Sequence, residues 1–423
     1  MPKRCVRKAT VFVEHFPPFL GSDRTIFEIM KRIADKGVLV HFIATQPLRH
    51  LLGRRPADWV YTRNWTQPPK KIHKNIDVTY LLRPRRFAGL WKRFYPLAYF
   101  LTLIYFIVRS IRNITQFSPD IIIAAHASPI VGVVSLLSSK ITLRPLVMSC
   151  PDWISAYAAG LLKASTRDIG PALLQMLEIR IYKWSDLIVT ATSFLRGLLV
   201  SHGVNPSKII TLPNGVDPDF FSPNQHTKDL QRKYRLENRT VILFTGHLEE
   251  WAGISLIHDL AKRLDKDFPD SIILLVGVGD AIQEIFGNLV KENLGHMLTH
   301  AGLQPFEEMP RYTAAADIAL CIFPNTPVAH AASPLKLFEY MSAGKAIVAT
   351  NVAGTNEVLR NGGGILVAPD DRDGICDAVL TLCQRPDVRE RLGKEARELV
   401  LLKYSWNDLA SAFFILCERV ACK

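Results

Sequence analysis

Residues 9–45 read ATVFVEHFPPFLGSDRTIFEIMKRIADKGVLVHFIAT, and the order of patterns in this stretch decides the fold class. Residues 9–15 are rich in β-formers and predict a strand that a Pro-Pro pair then breaks. Thr25 to Lys36 carries apolar residues at helical spacing, and a glycine follows it as a stop. Val38 to Thr45 predicts a second apolar strand. Strand, helix and strand at this spacing form a βαβ unit, which indicates a parallel sheet covered by helices.

The same alternation continues along the chain and indicates two domains. Further buried strands are predicted at residues 121–125, 146–149, 188–192, 241–245, 272–276, 318–322 and 346–349, with a helix over 130–138. Pro213-Asn214-Gly215 interrupts the pattern, and a polar segment follows it to Asn238. At 423 residues the chain is long enough for two lobes that each bury a core. We therefore predict an α/β protein of two doubly wound, Rossmann-like lobes, residues 1–213 and 214–403.

Cysteine usage and the start of the chain bear on the compartment. The cysteines stand at positions 5, 150, 321, 376, 383, 417 and 422. They are scattered, odd in number and without Cys-x-x-Cys spacing, which argues against a disulfide framework or a zinc site and for a reducing compartment. The basic start lacks the apolar core of a signal peptide. We expect a cytoplasmic protein.

The net charge of +13 is unevenly distributed along the chain. Residues 1–213 hold 30 Lys and Arg against 11 Asp and Glu, a net charge of +19, whereas residues 214–423 hold 22 against 28, a net charge of −6. A basic half joined to an acidic half suggests that one lobe meets a polyanion. An anionic membrane surface fits this pattern. A nucleic acid is disfavoured, because no recognised binding module or basic-aromatic platform is present.

The stretch from Phe94 to Val108 is strongly apolar and has basic residues on both sides. Two interpretations stay open: a buried helix of the first lobe, or a helix or hairpin lying in the bilayer interface with its basic flanks held by anionic headgroups. A spanning helix is disfavoured because 15 residues are fewer than the roughly 20 needed to cross the hydrocarbon core.

Residues 330–357, HAASPLKLFEYMSAGKAIVATNVAGTNE, carry the clearest functional signal. Ser333 is a good N-cap and Pro334 suits a first helical position, so Leu335 to Ser342 is predicted to be a short helix. Its free N–H groups and positive dipole end suit a diphosphate. Lys336 lies in the first turn, where a cation opposes the dipole, and this misplaced charge points to an anionic ligand. Glu339 lies further along the helix, where a carboxylate can accept hydrogen bonds from two ribose hydroxyls.

This segment resembles the donor-binding motif of glycosyltransferase family 4, in members that read S-P-x-K-x-x-E-Y-x-x-x-G-K. The resemblance covers nearly the whole chain, through His15-Phe-Pro-Pro with Gly21, Ser118-Pro119-Asp120, Leu212-Pro213-Asn214-Gly215 and Tyr404-Ser405-Trp406. It implies a GT-B fold, in which two lobes face a cleft and a C-terminal helix over about 404–423 returns to the first lobe. The second lobe is then the nucleotide-sugar-binding lobe and the first the acceptor-binding lobe.

The resemblance also implies an activity: a retaining glycosyltransferase that uses a nucleotide-diphosphate sugar as donor and a glycan or lipid-linked acceptor. Electrostatic stabilisation of the leaving diphosphate carries such catalysis, with no metal ion or cofactor and no dedicated protein base. Together with the basic lobe, this predicts a peripheral protein at the cytoplasmic face of the membrane.

Further site residues are carried over by position. Gly21 is expected to approach the phosphate and sugar from the first lobe. His126 and Asp152 each follow a predicted first-lobe strand, at the strand ends where open α/β sheets bind ligands, and are candidates for contact with the donor sugar or the acceptor. The amides of Ser333 to Leu335, together with Lys336, are expected to bind the diphosphate.

Three positions depart from the family pattern. Ala331 replaces a Glu that contacts the donor sugar in many relatives, while His247 and Ala252 stand where relatives carry an Arg and a Lys aimed at the diphosphate. Lys336 is the natural substitute for the missing charge. Two alternatives to a transferase stay open: a non-catalytic nucleotide-sugar-binding partner of a glycan-assembly complex, and a nucleotide-sugar epimerase on the same scaffold.

Overall fold

The computed structural model describes residues 5–14, 16, 21–45, 73–81, 94–161, 169–249 and 253–422. The chain divides into two compact units. Unit 1 comprises Met1–Pro213 and Trp406–Lys423, and unit 2 comprises Asn214–Ser405. Each unit is a parallel sheet with helices packed on it, so the predicted α/β class with two doubly wound sheets is confirmed.

Unit 1 contains a seven-stranded parallel sheet with strand order β3-β2-β1-β4-β5-β6-β7. Its strands are β1 (Lys8–Val13), β2 (Leu39–Thr45), β3 (Ile76–Leu81), β4 (Ile121–Ala124), β5 (Leu146–Cys150), β6 (Leu187–Thr190) and β7 (Ile209–Thr211). Its helices are α1 (Gly21–Asp35), α2 (Tyr95–Phe117), α3 (Val131–Thr142), α4 (Ile154–Leu161), α5 (Ile169–Trp184), α6 (Ser193–Ser201) and, from the C-terminal segment, the last helix of the chain (Trp406–Ala421).

The strand order of unit 1 reverses between β1 and β4, and this reversal distributes the helices over the two faces. Right-handed crossovers place α1 on one face and the helices that follow β3 on the other. The C-terminal helix packs against α1, while α2 packs against α3 and α3 against α5. The predicted βαβ unit is confirmed as β1, α1 and β2, whose facing residues Val11 and Phe42 are fully buried.

Unit 2 contains a six-stranded parallel sheet with strand order β10-β9-β8-β11-β12-β13. Its strands are β8 (Thr240–His247), β9 (Ser271–Val278), β10 (Leu298–His300), β11 (Ile318–Cys321), β12 (Ala346–Thr350) and β13 (Ile365–Val367). Its helices are α7 (Lys228–Lys233), α8 (Leu256–Asp267), α9 (Ala281–Lys291), α10 (Met309–Ala314), α11 (Pro327–Ala331), α12 (Leu335–Ser342), α13 (Ala353–Leu359), α14 (Arg372–Gln384) and α15 (Pro386–Lys403). The C-terminal helix of unit 1 is then α16.

The order of this second sheet reverses between β8 and β11, and the two strands part before they end. Their pairing covers only Ile242 and Leu243 of β8 against Ile318 and Ala319 of β11. On its other side β8 stays paired with β9 to its last residue. A Cβ on Gly277 of β9 would lie 1.8 Å from a backbone oxygen of β8, so glycine is required there. Unit 2 therefore opens at the C-terminal ends of β8 and β11, where doubly wound sheets bind ligands.

Helix α2 corrects the sequence-based length of the apolar segment. The prediction covered 15 residues from Phe94 to Val108, but the helix runs on to Phe117 and has 23 residues. Its continuation includes Arg109 and Arg112, which the hydropathy pattern treated as a flank. Residues 96–117 are long and apolar enough to cross a membrane, and only 28% of the most apolar part of this helix is buried. The prediction that this segment is too short for a membrane-spanning helix is therefore wrong.

The expectation of unpaired cysteines is also corrected. Cys5 and Cys422 form a disulfide with a Cα–Cα distance of 5.7 Å. The carboxylate of Glu418 lies beside it and accepts hydrogen bonds from the N–H groups of Cys5 (2.9 Å) and Val6 (2.8 Å). The pairing arises because α16 packs on α1, next to the start of β1. Spacing along the sequence could not indicate it, because 417 positions separate the two residues.

Candidate functional site

The N-terminus of α12 lies after β11, at the edge where β8 and β11 separate. The predicted helix Leu335–Ser342 is confirmed, and Gly344 follows it with φ +67°, as expected of a helix stop. Pro334, rather than Ser333, occupies the N-cap position, and the cap has no side-chain hydrogen bond. The N–H of Leu337 donates to the carbonyl oxygen of Pro334 (3.1 Å), so the N–H groups of Leu335 and Lys336 precede the first bond of the helix.

Ser333 was predicted as the cap of this helix, and that prediction is wrong. Its backbone oxygen accepts a hydrogen bond from the amide Nδ2 of Asn214 (2.6 Å), and its Oγ accepts one from the Asn214 backbone N–H (3.4 Å). Both residues are buried. Asn214 thus fixes the segment that leads into α12 from a position 119 residues earlier in the chain.

Lys336 extends from the first turn of α12 across the gap between β8 and β11. Its Nζ donates to the carbonyl oxygen of Thr245 (3.2 Å). The same atom lies 4.0 Å from the ring centroid of Phe244 and 5.1 Å from that of Phe323. Among the described residues no carboxylate forms a salt bridge with it. The ammonium is therefore held by one carbonyl and two ring faces, which compensate its charge only in part.

The pKa of Lys336 is lowered by the burial of its ammonium, and the nearby Cys321 and Glu339 oppose the shift. Burial likewise raises the pKa of the Cys321 thiol, to about 11, against the opposing charge of Lys336. At neutral pH Cys321 is a neutral thiol and supplies no anionic partner. An anion bound beside Nζ would stabilise the charged ammonium and so offset the cost of its burial.

Tyr340 fixes the strand segment that holds Lys336. Its hydroxyl accepts a hydrogen bond from the backbone N–H of Thr245 (2.9 Å) and lies 2.8 Å from Thr245 Oγ1. The side chain is fully buried, and burial raises its pKa further above the usual range. Because β8 has already left β11 at this point, Tyr340 supplies the hydrogen-bond partner that the neighbouring strand does not.

His247 and Glu339 complete the predicted set in unit 2. His247 is the last residue of β8 and is exposed. Its pKa is lowered, first by partial desolvation of the ring and then by the positive charge of Lys336, while Glu339 is half-buried three residues after Lys336 on α12. The structure therefore brings Ser333, Pro334, Leu335, Lys336, Glu339 and His247 to one edge of the unit 2 sheet.

In unit 1, His126 lies at the corresponding point, where the strand order reverses between β1 and β4. It follows β4 and is 5% exposed. Its Nε2 lies 3.5 Å from Oε2 of Glu14, which follows β1, and 3.8 Å from Oδ1 of Asp23 on α1. Asp23 Oδ1 also accepts the backbone N–H of Glu14 (3.2 Å). One imidazole and two carboxylates thus meet at the ligand-binding edge of this sheet.

Asp152 follows the next strand, β5, and belongs to the same cluster. Burial raises the pKa of its carboxyl, and the neighbouring His126 acts against that shift. Glu178 lies nearby, but its carboxylate accepts the backbone N–H groups of Ile154 (3.1 Å) and Ser155 (3.0 Å) and so holds α4 in place. His126 and Asp152, which the sequence singled out separately, are therefore electrostatic neighbours.

Comparison with known proteins finds a matching family for each half of the chain. A model described as Glycosyltransferase Family 4 matches residues 19–220, and one described as Glycosyl transferases group 1 matches residues 226–399. The crystal structure of Anabaena HepE in complex with UDP and glucose superimposes with a TM-score of 0.70, at 15% identity, over 97% of this chain and 99% of that chain. The chain belongs to the GT-B glycosyltransferase superfamily.

Two curated relatives align with part of this GT-B chain. An uncharacterised glycosyltransferase from Methanocaldococcus jannaschii is 24% identical over 57% of the chain and 60% of its own length. A phosphatidyl-myo-inositol mannosyltransferase from Mycobacterium tuberculosis is 27% identical over 51% of the chain and 55% of its own length. The alignment thus spans little more than half the length of the curated relatives it matches.

Several residues of the GT-B chain's candidate site were not predicted from the sequence. They are Glu14, Asp23, Asn214, Phe244, Thr245, Phe323 and Tyr340. Glu14 was within reach of sequence analysis, because it follows β1 as His126 follows β4. The aromatic residues are indistinguishable from core residues in a sequence.

The remaining predicted positions have different outcomes. Gly21 begins α1, four residues earlier than the helix start expected at Thr25. Ala331 ends α11 and is buried. Ala252 lies outside the described residues.

Proposed function

We propose that the chain is a retaining glycosyltransferase that moves a sugar from a nucleotide-diphosphate sugar to a glycan or lipid-linked acceptor at the cytoplasmic face of the membrane. Unit 2 binds the donor, with the diphosphate at the N-terminus of α12. Unit 1 binds the acceptor near His126 and Asp152. No metal ion or cofactor takes part.

The environment of Lys336 carries this proposal. Its ammonium lies beside the N-terminus of a helix, with a carbonyl and two aromatic faces as its partners and no salt bridge among the described residues. Two positive features at one place, a lysine and a helix N-terminus, repel each other unless an anion lies between them. A diphosphate has the charge and the oxygen atoms to accept hydrogen bonds from Nζ and from the amides of Leu335 and Lys336.

The same arrangement supplies the chemistry of sugar transfer. The bond between the anomeric carbon and the diphosphate oxygen breaks while a bond to the acceptor oxygen forms on the same face. The acceptor hydroxyl proton passes to the departing diphosphate. Lys336 and the helix amides stabilise the charge that develops on this leaving group, which lowers the barrier without a protein base. Glu339 accepts hydrogen bonds from the ribose hydroxyls, and His247 lies beside the diphosphate.

The cluster in unit 1 suits a ligand rich in hydroxyl groups. Carboxylate oxygens accept hydrogen bonds from hydroxyls, and Glu14, Asp23 and Asp152 surround one imidazole at the edge of the sheet. Similarity to a phosphatidyl-myo-inositol mannosyltransferase supports an acceptor of this chemistry carried on a lipid. The charge of +19 on residues 1–213 supports contact between unit 1 and an anionic membrane.

Turnover with membrane extract tests the proposal. The purified chain is incubated with uridine, guanosine and adenosine diphosphate sugars, with and without EDTA, and free nucleotide and glycosylated product are quantified. We expect one donor to be consumed in the presence of extract, to be unaffected by EDTA, and to give a product with the donor's anomeric configuration. A product of inverted configuration would rule out the retaining mechanism.

The departures at His247 and Ala331 favour one alternative, a chain that binds a nucleotide sugar without turning it over. This alternative predicts nucleotide affinity with no product from any donor. An epimerase predicts a changed sugar still attached to its nucleotide. The same experiment separates all three outcomes.

A further inference from the structure

The outer surface of α2, α3 and α5 in unit 1 is apolar where a helical layer is ordinarily polar. Leu97, Phe100, Ile104, Ile141, Leu173 and Met176 are exposed on these three helices, which pack side by side. We call this surface the outer face. On α2 the exposed residues recur every three or four positions, whereas the inward positions include Thr102 and Ser110, both fully buried. The exposed large apolar side chains of α2 thus form a stripe on the side of the helix that faces away from the protein core.

The outer face distinguishes unit 1 from unit 2. Among the described residues of unit 2, the exposed large apolar side chains are Val290, Leu303, Leu401 and Leu402. They are spread over a helix, a loop and the end of α15, and form no stripe. Scattered apolar residues are normal on a soluble protein, whereas exposed apolar side chains concentrated on neighbouring helices mark an interaction site.

The charges on the same helices indicate what binds there. The exposed charged side chains on the described residues of α2, α3 and α5 are Arg109, Arg112, Lys140, Arg180 and Lys183. Glu178, the one carboxylate on these helices, is buried and bound to backbone N–H groups. Asp186, just beyond α5, lies 3.7 Å from Lys140 and neutralises part of that charge. On α2, α3 and α5 the exposed charged side chains are therefore all cations.

We propose that the outer face docks unit 1 on the surface of an anionic lipid bilayer, with α2, α3 and α5 lying in the interface. Apolar side chains enter the boundary between headgroups and acyl chains while the cations bind lipid phosphates. This inference rests on the proposed function and specifies its membrane partner. A second copy of the chain fits less well, because a two-fold contact through this face would oppose cations to cations without carboxylates to pair them.

The packing of α2 favours docking over spanning. The helix connects β3 to β4 and is held against α3 through buried side chains such as Ala98, Phe106 and Ile114. To cross a bilayer it would have to leave this layer and expose Thr102 and Ser110 to hydrocarbon. An interfacial position keeps the inward contacts and covers only the exposed stripe.

Vesicle co-sedimentation tests the proposal with the full chain. We expect binding to vesicles of phosphatidylglycerol and phosphatidylcholine, with weaker binding to phosphatidylcholine alone and at high salt. The variants Phe100→Asp/Ile104→Asp on α2 and Leu173→Asp/Met176→Asp on α5 are each expected to lose binding roughly tenfold or more. The control Val290→Asp/Leu402→Asp adds the same charge to unit 2 and is expected to bind like the unmodified chain.

A thermal melt shows whether each variant is folded. Because the two pairs of substitutions lie on different helices, the test still gives an answer if one of the variants folds poorly. Vesicle binding unchanged in both face variants would overturn the proposal. A dimer seen by light scattering that the face variants dissociate would also overturn it, because a second copy of the chain would then occupy the outer face. Retention of the chain in cell membranes after alkaline extraction would overturn it as well, because it indicates a spanning helix. Nucleotide binding is measured without vesicles, so failure of the docking surface leaves the donor site independently testable.

Discussion

The Nζ atom of Lys336 lies 3.2 Å from the carbonyl oxygen of Thr245, and this contact joins α12 to the end of β8. It spans the place where the strand order of unit 2 reverses and where the sheet opens. A lysine that bridges this gap places a cation at the ligand-binding edge of the sheet. The predictions for unit 2 follow from that position.

Glu339→Ala is expected to weaken the binding of a nucleoside diphosphate roughly tenfold, because two hydrogen bonds to the ribose are lost. Binding of inorganic pyrophosphate, which has no ribose, is expected to stay the same. Isothermal calorimetry with UDP, GDP and pyrophosphate checks both. Glu284→Ala, an exposed carboxylate on α9, serves as control. Equal weakening for pyrophosphate and nucleotide would remove Glu339 from the ribose site.

Tyr340→Phe is expected to destabilise the chain by about 1–3 kcal/mol, because the buried N–H of Thr245 loses its partner. It is also expected to weaken nucleotide binding, since the carbonyl that orients Lys336 becomes less fixed. Tyr312→Phe is the matched control, because it removes another buried hydroxyl, the one 3.2 Å from the Tyr234 hydroxyl. The control should lose stability without losing affinity. Unfolding curves and calorimetry on both variants decide the point.

Lys345 gives a pH dependence. Burial lowers the pKa of its ammonium to about 8, and Asp317 opposes the shift, while Nζ donates to the carbonyl oxygen of Ala314 (2.8 Å). A pKa below the unfolded value means that the unfolded chain binds more protons between about pH 8 and pH 10, so stability from this group rises with pH in that window.

Replacement of this lysine isolates its effect from other titrations. The melting temperature of the unmodified chain is expected to rise relative to that of Lys345→Met between about pH 8 and pH 10, by a few degrees. Below pH 8 the difference should be constant. Scanning calorimetry over this range checks the prediction, and a difference that falls with rising pH would show that the lysine is not buried as described.

Reduction of the Cys5–Cys422 disulfide is expected to lower the melting temperature of unit 1 by roughly 5–10 °C, because the link ties α16 to the start of β1. The variant Cys422→Ser should melt at the lower temperature and should not respond to reductant. Under denaturing conditions without reductant, five thiols are expected to react, since Cys150, Cys321, Cys376, Cys383 and Cys417 are free. Titration of all seven cysteines would contradict the pairing.

Local patterns in the sequence predicted those features that are local in the structure. The βαβ start, the strands that were predicted and the bounds of α12 follow from hydrophobic period and from stop residues within a few positions. The short or edge strands β3, β7, β10 and β13 were not among the predicted strands. The C-terminal end of α2 was missed because Arg109 and Arg112 look like a flank in hydropathy, although both lie on the helix.

The features that the sequence did not reveal depend on contacts between distant positions. Asn214 binds Ser333 across 119 residues, and this contact replaces the predicted capping of α12 by Ser333. Phe244 lies on β8 and Phe323 follows β11, and the two rings flank the ammonium of Lys336 only once β8 and β11 lie side by side. The charge of Lys336 and the motif around it made this residue a candidate from the sequence alone. The groups that contact its ammonium could be recognised only in the folded structure.

Binding of UDP and GDP to three lysine variants, measured by isothermal calorimetry, tests the central claim most directly. Lys336→Gln removes the cation and is expected to weaken the preferred nucleotide roughly tenfold or more, and Lys336→Glu is expected to weaken it further by reversing the charge. Lys291→Gln, at an exposed lysine on α9 of the same unit, is expected to bind like the unmodified chain. Affinity in Lys336→Gln and Lys336→Glu equal to that of the unmodified chain would contradict a diphosphate site at the N-terminus of α12.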